Sequence, residues 1–204
     1  MGCTSAVLDD IRSQLAPDDV VLKEARQRRD TVRRAAESFP GVLKSYGSGS
    51  LAHGTANCPV HQRDKGLDAD CGMVLDRRAH QSLGPDSVDD ESPNRIVDAV
   101  LEHLQPKALA HYPAARFEIT KRAIFIEFHE PMSSGEDPTV DLVVGLRRRE
   151  EGLWIPNTEQ RRWDPSHPEK HTDLLTAEPK VVTGQPGARD PTGEGRKQTA
   201  RTET

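Results

Sequence analysis

The sequence predicts an α+β fold: a small sheet of mixed or antiparallel strands backed by helices, with a disordered C-terminal tail. Three observations carry that expectation. Apolar residues recur at helical spacing over 18–38 and 92–106. Short runs over 117–119, 124–128 and 140–144 alternate apolar and polar residues, the period of a strand with one buried face. From Thr183 onward the chain is Gly, Pro, Thr and charge, which cannot bury enough surface to offset its ordering entropy.

Leu8, Ile11 and Leu15 are spaced for a short amphipathic helix over 5–16, which Pro17 interrupts. Asp18 opens a second helix that runs to Ser38, its apolar stripe made of Leu22, Ala25, Val32, Ala36 and Phe39. Arg26, Arg28, Arg29, Arg33 and Arg34 crowd this helix and read as its solvated face. Pro40-Gly41 ends it, and Val42-Leu43 with Tyr46 form a short strand that feeds a Gly-Ser turn.

Residues 57–66 are polar and read as a loop, and Asp70 to Leu75 as a compact strand. The Ser, Gly, Pro and Asp of 80–91 predict an exposed loop. Ser92-Pro93 reads as a helix start, with a capping serine and proline at the first helical position. Ile96, Val97, Val100, Leu101 and Leu104 give that helix its buried face, and Pro106 is expected to stop it. The alternating runs on either side of Lys121-Arg122 make a hairpin without the usual turn glycine. After a turn-rich loop over 132–138, the next strand puts Val140, Leu142 and Val144 on one face and Asp141 and Val143 on the other. Leu153 to Pro156 is the last expected strand, Trp163-Asp164-Pro165 a turn, and 168–177 a short helix. The organisation is thus one core domain over 1–182 and a tail over 183–204, with no internal repeat.

Composition narrows the function. A formal charge of -5 and a pI near 5.9 argue against wholesale coating of nucleic acid. Cys3, Cys58 and Cys71 are odd in number and lack C-x-x-C spacing, so they read as reduced thiols rather than a disulfide framework or zinc site. No apolar run approaches the roughly 20 residues of a membrane span, and no signal peptide is evident. The expected location is the cytoplasm.

The chemistry concentrates between Tyr46 and Leu75. Asp68 and Asp70 alternate at the head of an apolar run, which puts both carboxylates on one face of a strand. Such a pair repels itself unless a cation sits between its members. Asp141, alone in the middle of another apolar strand, is costly to bury unless paired or liganded. Gly49-Ser50 offers close backbone approach to a phosphate, amides at a following helix start, and a hydroxyl donor. Gly47-Ser48 is an alternative register, and the spacing to Gly54-Thr55 favours Gly49-Ser50. Asp76 reads as a turn residue, Glu127 faces either the site or solvent, Cys58 and Cys71 read as packing residues, and Trp154 and Trp163 as core aromatics.

The string G-S-L-A-H-G-T, then D-A-D at the head of a strand, then a later V-D-L-V, resembles the signature of the DNA polymerase β nucleotidyltransferase superfamily. With the D-A-D-C-G form and the later W-I-P-N and W-D-P, it is most similar to the bacterial CD-NTases, the cGAS/DncV-like enzymes of antiphage signalling. The resemblance covers roughly 18–177 and implies a polymerase β-like nucleotidyltransferase core. It implies that Asp68, Asp70 and Asp141 carry two Mg²⁺ ions (or Mn²⁺ in their place), and that Gly49 and Ser50 hold the phosphates of a nucleoside triphosphate. Asp141 would take the proton of the attacking hydroxyl, pyrophosphate would leave, and the products would be cyclic oligonucleotides. Acceptors elsewhere in the superfamily are a tRNA end, a protein hydroxyl or an aminoglycoside, and an inactive nucleotide-binding module is a further reading. Family members also carry a helical second half that walls the nucleotide pocket. Here a polar tail stands where that half should begin, so the wall is expected from a protein partner or from the missing half.

Overall fold

A computed structural model of the chain describes residues 16–56 and 67–168, together with positions 7, 10, 11 and 170. The helix expected over 5–16, the loop over 57–66, the helix over 168–177 and the tail over 183–204 fall largely or wholly outside the described residues.

The mixed α+β architecture is as expected. Helix α1 (Asp19–Glu37) leads into strand β1 (Val42–Gly47) and the five-residue helix α2 (Gly49–His53). Strand β2 (Cys71–Leu75) follows, then a 3₁₀ turn (Gln81–Leu83) and helix α3 (Ser92–Leu109). The chain continues through β3 (Arg116–Ile119), β4 (Ile124–Glu127), β5 (Thr139–Arg147), β6 (Leu153–Asn157) and β7 (Arg162–Ser166). Among the described residues these strands join in one sheet of order β1-β2-β5-β4-β3, with β6 also on β5 and β7 beyond β6.

Nine-residue β5 is the strand around which the others register. Along one edge it pairs in parallel with β2, from Cys71 opposite Leu142 to Leu75 opposite Leu146. Its other edge takes antiparallel β4 over Thr139 to Leu142 and antiparallel β6 at Leu146 and Arg147. The β3–β4 hairpin needs no glycine because the Thr120 N–H and hydroxyl both donate to the Ala123 carbonyl, at 2.9 and 3.0 Å. Helices α1 and α3 pack on one face of the sheet. There Met73, Leu75, Leu142, Val144 and Leu146 meet Val32, Ala36, Ile96, Val100 and Leu104 in a continuous core. Each fully buried aliphatic side chain stabilises that core by roughly 1.5–3 kcal/mol.

Several local expectations give way to tertiary context. Pro106 does not stop α3, which continues to Leu109. Proline deprives the Glu102 carbonyl, four residues back, of its helical partner. Both residues lie on the exposed face, where that carbonyl is open to solvent. Ser92 does not cap α3: Glu91 holds that position, and the buried Ser92 hydroxyl accepts a bond from the Trp163 indole N–H at 3.3 Å. Trp163-Asp164-Pro165 is strand β7 rather than a turn. Pro165 is tolerated because β7 pairs only with β6, so the missing N–H interrupts no second ladder. The segment 80–91 is only partly exposed, since Leu83 packs on the core and Gly84 is buried.

The solvated reading of the α1 arginines holds for Arg26 and Arg34 but fails for Arg28. Arg28 is buried, donates from Nη2 to the Glu130 carbonyl at 2.8 Å, and stacks its guanidinium over the rings of Tyr112 and Phe128. It clamps the loop that leads into β5 against α1. Arg28→Ala is expected to lower the unfolding free energy by roughly 2–3 kcal/mol, and exposed Arg26→Ala by less than about 0.5, in urea titrations followed by circular dichroism. Equal effects of the two substitutions would contradict the clamp.

Candidate active site

Strand alternation places the carboxylates. Leu67 and Ala69 are buried while Asp68 is exposed and Asp70 half-buried, the period of two expected from the sequence. Asp68 bridges Thr139 in parallel, where the Ala69 N–H donates to the Thr139 carbonyl at 2.9 Å and the Thr139 N–H to the Leu67 carbonyl at 3.2 Å. Cys71 then pairs with Leu142, both facing the core. Asp70 and Asp141, each one residue earlier, therefore stand on the opposite face of neighbouring strands about 4.8 Å apart. The structure brings Asp68, Asp70 and Asp141 to one end of the β2–β5 pair, although 71 residues separate Asp70 from Asp141 in the chain.

The electrostatics are those of uncompensated acid. Burial pushes the Asp70 carboxyl up to about 6, and the negative charges of Asp141 and then Asp68 add to the shift. Asp141 is likewise raised, by burial first and by Asp68 second. None of the three forms an ion pair with Lys, Arg or His among the described residues.

In donor chemistry this set fits a hard divalent cation, which takes carboxylate oxygens and offsets their repulsion. In position the three are not gathered around one point: among the described residues no group of three acidic, His or Cys side chains does so. Asp68 accepts a hydrogen bond from the Thr139 hydroxyl, which holds its carboxylate toward β5.

Gly49 and Ser50 begin helix α2 beside Asp70. The Ser48 N–H donates to the Asp70 carbonyl at 2.9 Å, which ties the turn to the head of β2. Gly49 has φ +71, in the left-handed region, and a Cβ there would lie 2.9 Å from the Asp70 Cγ and closer still to its carboxylate oxygen. Only glycine lets this carboxylate lie against the turn. Gly47 instead is the last residue of β1, whereas Gly49 and Ser50 open α2. Gly54, also left-handed, caps α2, and the Thr55 N–H closes back on the Ser50 carbonyl at 2.9 Å. The G-T end of the motif thus folds the short helix onto Ser50.

Thr139 escaped the sequence reading. It lies two residues before Asp141 on the same strand, so period-two alternation alone would have put it on the same face. Glu127 pairs with Thr139 in the β4–β5 ladder and so stands on the face that carries the site. The buried Cys71 thiol is pushed up to about 12, chiefly by burial, which leaves it protonated and unreactive at neutral pH. Asp76 is the turn residue it was read as, accepting the Arg78 N–H at 2.9 Å. Trp154 and Trp163 are partly buried against the core. Among the described residues no helix is long and apolar enough to cross a membrane.

Neither a protein-family model nor a curated protein matches the sequence. The fold does have counterparts among solved structures. The CD-NTase CdnG of Bradyrhizobium diazoefficiens, in complex with GTP, superposes with a TM-score of 0.54 at 20% identity, covering 79% of this chain and 42% of that one. A mutant of the Vibrio cholerae di-nucleotide cyclase DncV superposes with a TM-score of 0.50 at 9% identity, covering 81% and 58%. The fold is therefore that of the cGAS/DncV-like nucleotidyltransferases, and the chain spans about half the length of the solved structures it matches.

Proposed function

We propose that this chain is the catalytic half of a Mg²⁺-dependent nucleotidyltransferase of the CD-NTase kind, transferring a nucleoside monophosphate from a triphosphate to a ribose hydroxyl. The observation that carries the reading is the placing of Asp70 beside Asp141, with Gly49 directly under the Asp70 carboxylate, on a CD-NTase fold. Two further facts support it. CdnG was solved with GTP bound, and the DncV mutant replaces two aspartates spaced i, i+2, the spacing of Asp68 and Asp70.

In this reading Gly49 and Ser50 hold the β- and γ-phosphates through backbone approach and the Ser50 hydroxyl. Asp68, Asp70 and Asp141 would hold two Mg²⁺ ions, with Mn²⁺ as a substitute. Bound there, the ions neutralise phosphate charge and make the attacking hydroxyl more acidic. Asp141 takes the hydroxyl proton, directly or through water. The hydroxyl oxygen bonds to the α-phosphorus, the bond from that phosphorus to the α–β bridging oxygen breaks, and pyrophosphate leaves. A second transfer, to the remaining hydroxyl of the linear product, would close a cyclic oligonucleotide of the antiphage signalling type. The wall opposite the sheet face would come from a protein partner or a helical second half, and the setting would be the cytoplasm.

The test is product analysis. Radiolabelled ATP, GTP, CTP and UTP are incubated with the protein and Mg²⁺ or Mn²⁺. Phosphatase-resistant small products are expected, and are expected to vanish in Asp68→Ala/Asp70→Ala. Label transferred to a macromolecule would move the acceptor to RNA or protein. Absence of turnover with every nucleotide and metal, including after addition of the helical half of a homologue, would sink the proposal.

A further inference from the structure

A second charged feature lies at the other end of the strands that carry the carboxylates. Because β2 and β5 are parallel, both leave the sheet at the same end, and both run out into arginine. Asp76-Arg77-Arg78 follow β2, and Arg147-Arg148-Arg149 close β5. With Gln81 and Asp86 these residues line a concavity of about 980 Å³. That is the size of a small-molecule site rather than of a flat charged surface.

Five arginines line this concavity in a chain whose formal net charge is -5. Of its two acids only one offsets an arginine. Asp76 accepts the Arg78 backbone N–H, and Asp86 pairs with Arg77. Arg148 is held by Glu150 at 3.2 Å and over the Trp154 ring at 4.9 Å from its centroid. The side chains of Arg77 and Arg148 are 19% exposed, so both are fixed in the wall. Arg78, Arg147 and Arg149 have no carboxylate partner among the described residues. Guanidinium groups gathered in one hollow repel each other, and their planar forks match phosphate oxygens in bidentate geometry.

We infer that this arginine-lined concavity binds a small ligand carrying two or more phosphates. Five-residue β2 separates it from Asp70, and at about 3.3 Å per residue that is roughly 15–20 Å, too far for one triphosphate group to reach both sites. The site therefore stands whether or not the catalytic reading does. Inorganic polyphosphate and nucleoside polyphosphates share the required chemistry.

The probe is sodium tripolyphosphate, titrated calorimetrically in EDTA. Without a metal, the carboxylates around Asp70 repel the probe from the catalytic end. One site per chain is expected, weakening as salt rises. Arg147→Gln/Arg149→Gln, both at exposed positions, is expected to weaken binding at least tenfold with an unchanged melting temperature. Arg26→Gln/Arg34→Gln, with the same loss of charge on α1, is expected to leave it unchanged. ATP in EDTA binding more tightly than tripolyphosphate would show that the ligand is a nucleotide, and equal binding that polyphosphate suffices. The inference is overturned if the two double variants lose affinity alike. It is also overturned if wild type shows no saturable site, or if an acidic peptide or single-stranded RNA binds more tightly through the same arginines.

Discussion

Replacing Asp70 with asparagine is expected to abolish nucleotidyl transfer and, at the same time, to stabilise the metal-free protein at pH 7. The first effect follows from removing a ligand carboxylate, and a loss of roughly 10³-fold or more is expected. The second follows from linkage. The Asp70 carboxyl sits near 3.8 when unperturbed and at about 6 in the folded chain, so the folded state holds its proton more tightly. A raised carboxyl contributes stability below its unfolded value, and that contribution is lost as pH rises through the folded one. Between about pH 4 and pH 6 the metal-free protein should therefore lose on the order of 1–2 kcal/mol through this partly solvent-screened group.

Asparagine stays neutral throughout that range and removes this part of the pH dependence. Thermal melts in EDTA at pH 4, 5, 6 and 7 measure it, with Asp70→Asn expected several degrees above wild type at pH 7 and close to it at pH 4. Mg²⁺ is expected to raise the wild-type melting temperature and leave that of the variant nearly unchanged. A variant less stable than wild type at pH 7 in EDTA would mean that Asp70 is held by partners rather than opposed by its neighbours.

Gly49→Ala is expected to be nearly as damaging to activity, by a steric route. Two costs meet at this position. A left-handed φ costs alanine about 1–2 kcal/mol, and its methyl group would collide with the Asp70 carboxylate. Gly54 separates the two costs. It is left-handed as well, at φ +68, yet nothing lies within 4 Å of a Cβ placed there. Both alanine variants should lose similar backbone stability, while Gly49→Ala alone displaces the carboxylate and loses about 10²-fold in kcat. Steady-state kinetics alongside urea denaturation distinguish the two. Equal kinetic losses would show that strain in α2, not contact with Asp70, sets the requirement for glycine.

Much of the fold was legible because local pattern and burial agree. The alternation of Asp68 and Asp70 with Leu67 and Ala69, and of Asp141 with Val140 and Leu142, is visible in sequence because a strand has a period of two and one face is buried. The stripe of α3 and the β3–β4 hairpin were equally plain. Two of the errors fall where a residue's partner is distant in the chain. Arg28 looked solvated because its acceptor, the Glu130 carbonyl, lies 102 residues away. Ser92 looked like a cap because Trp163, which takes its hydroxyl, lies 71 residues on.

By itself, then, the sequence determined the element types, the faces they bury and the presence of a Gly-Ser turn ahead of an aspartate pair, all properties with periods of a few residues. Only the tertiary structure decided which strands are neighbours. The parallel register of β2 with β5 puts Asp70 beside Asp141 at one end of the sheet and gathers the arginines of 77–78 and 147–149 at the other. No local period encodes that pairing. It follows from burying one continuous apolar face of β5 against both helices, which fixes the strand's neighbours and, with them, both charged ends of the molecule.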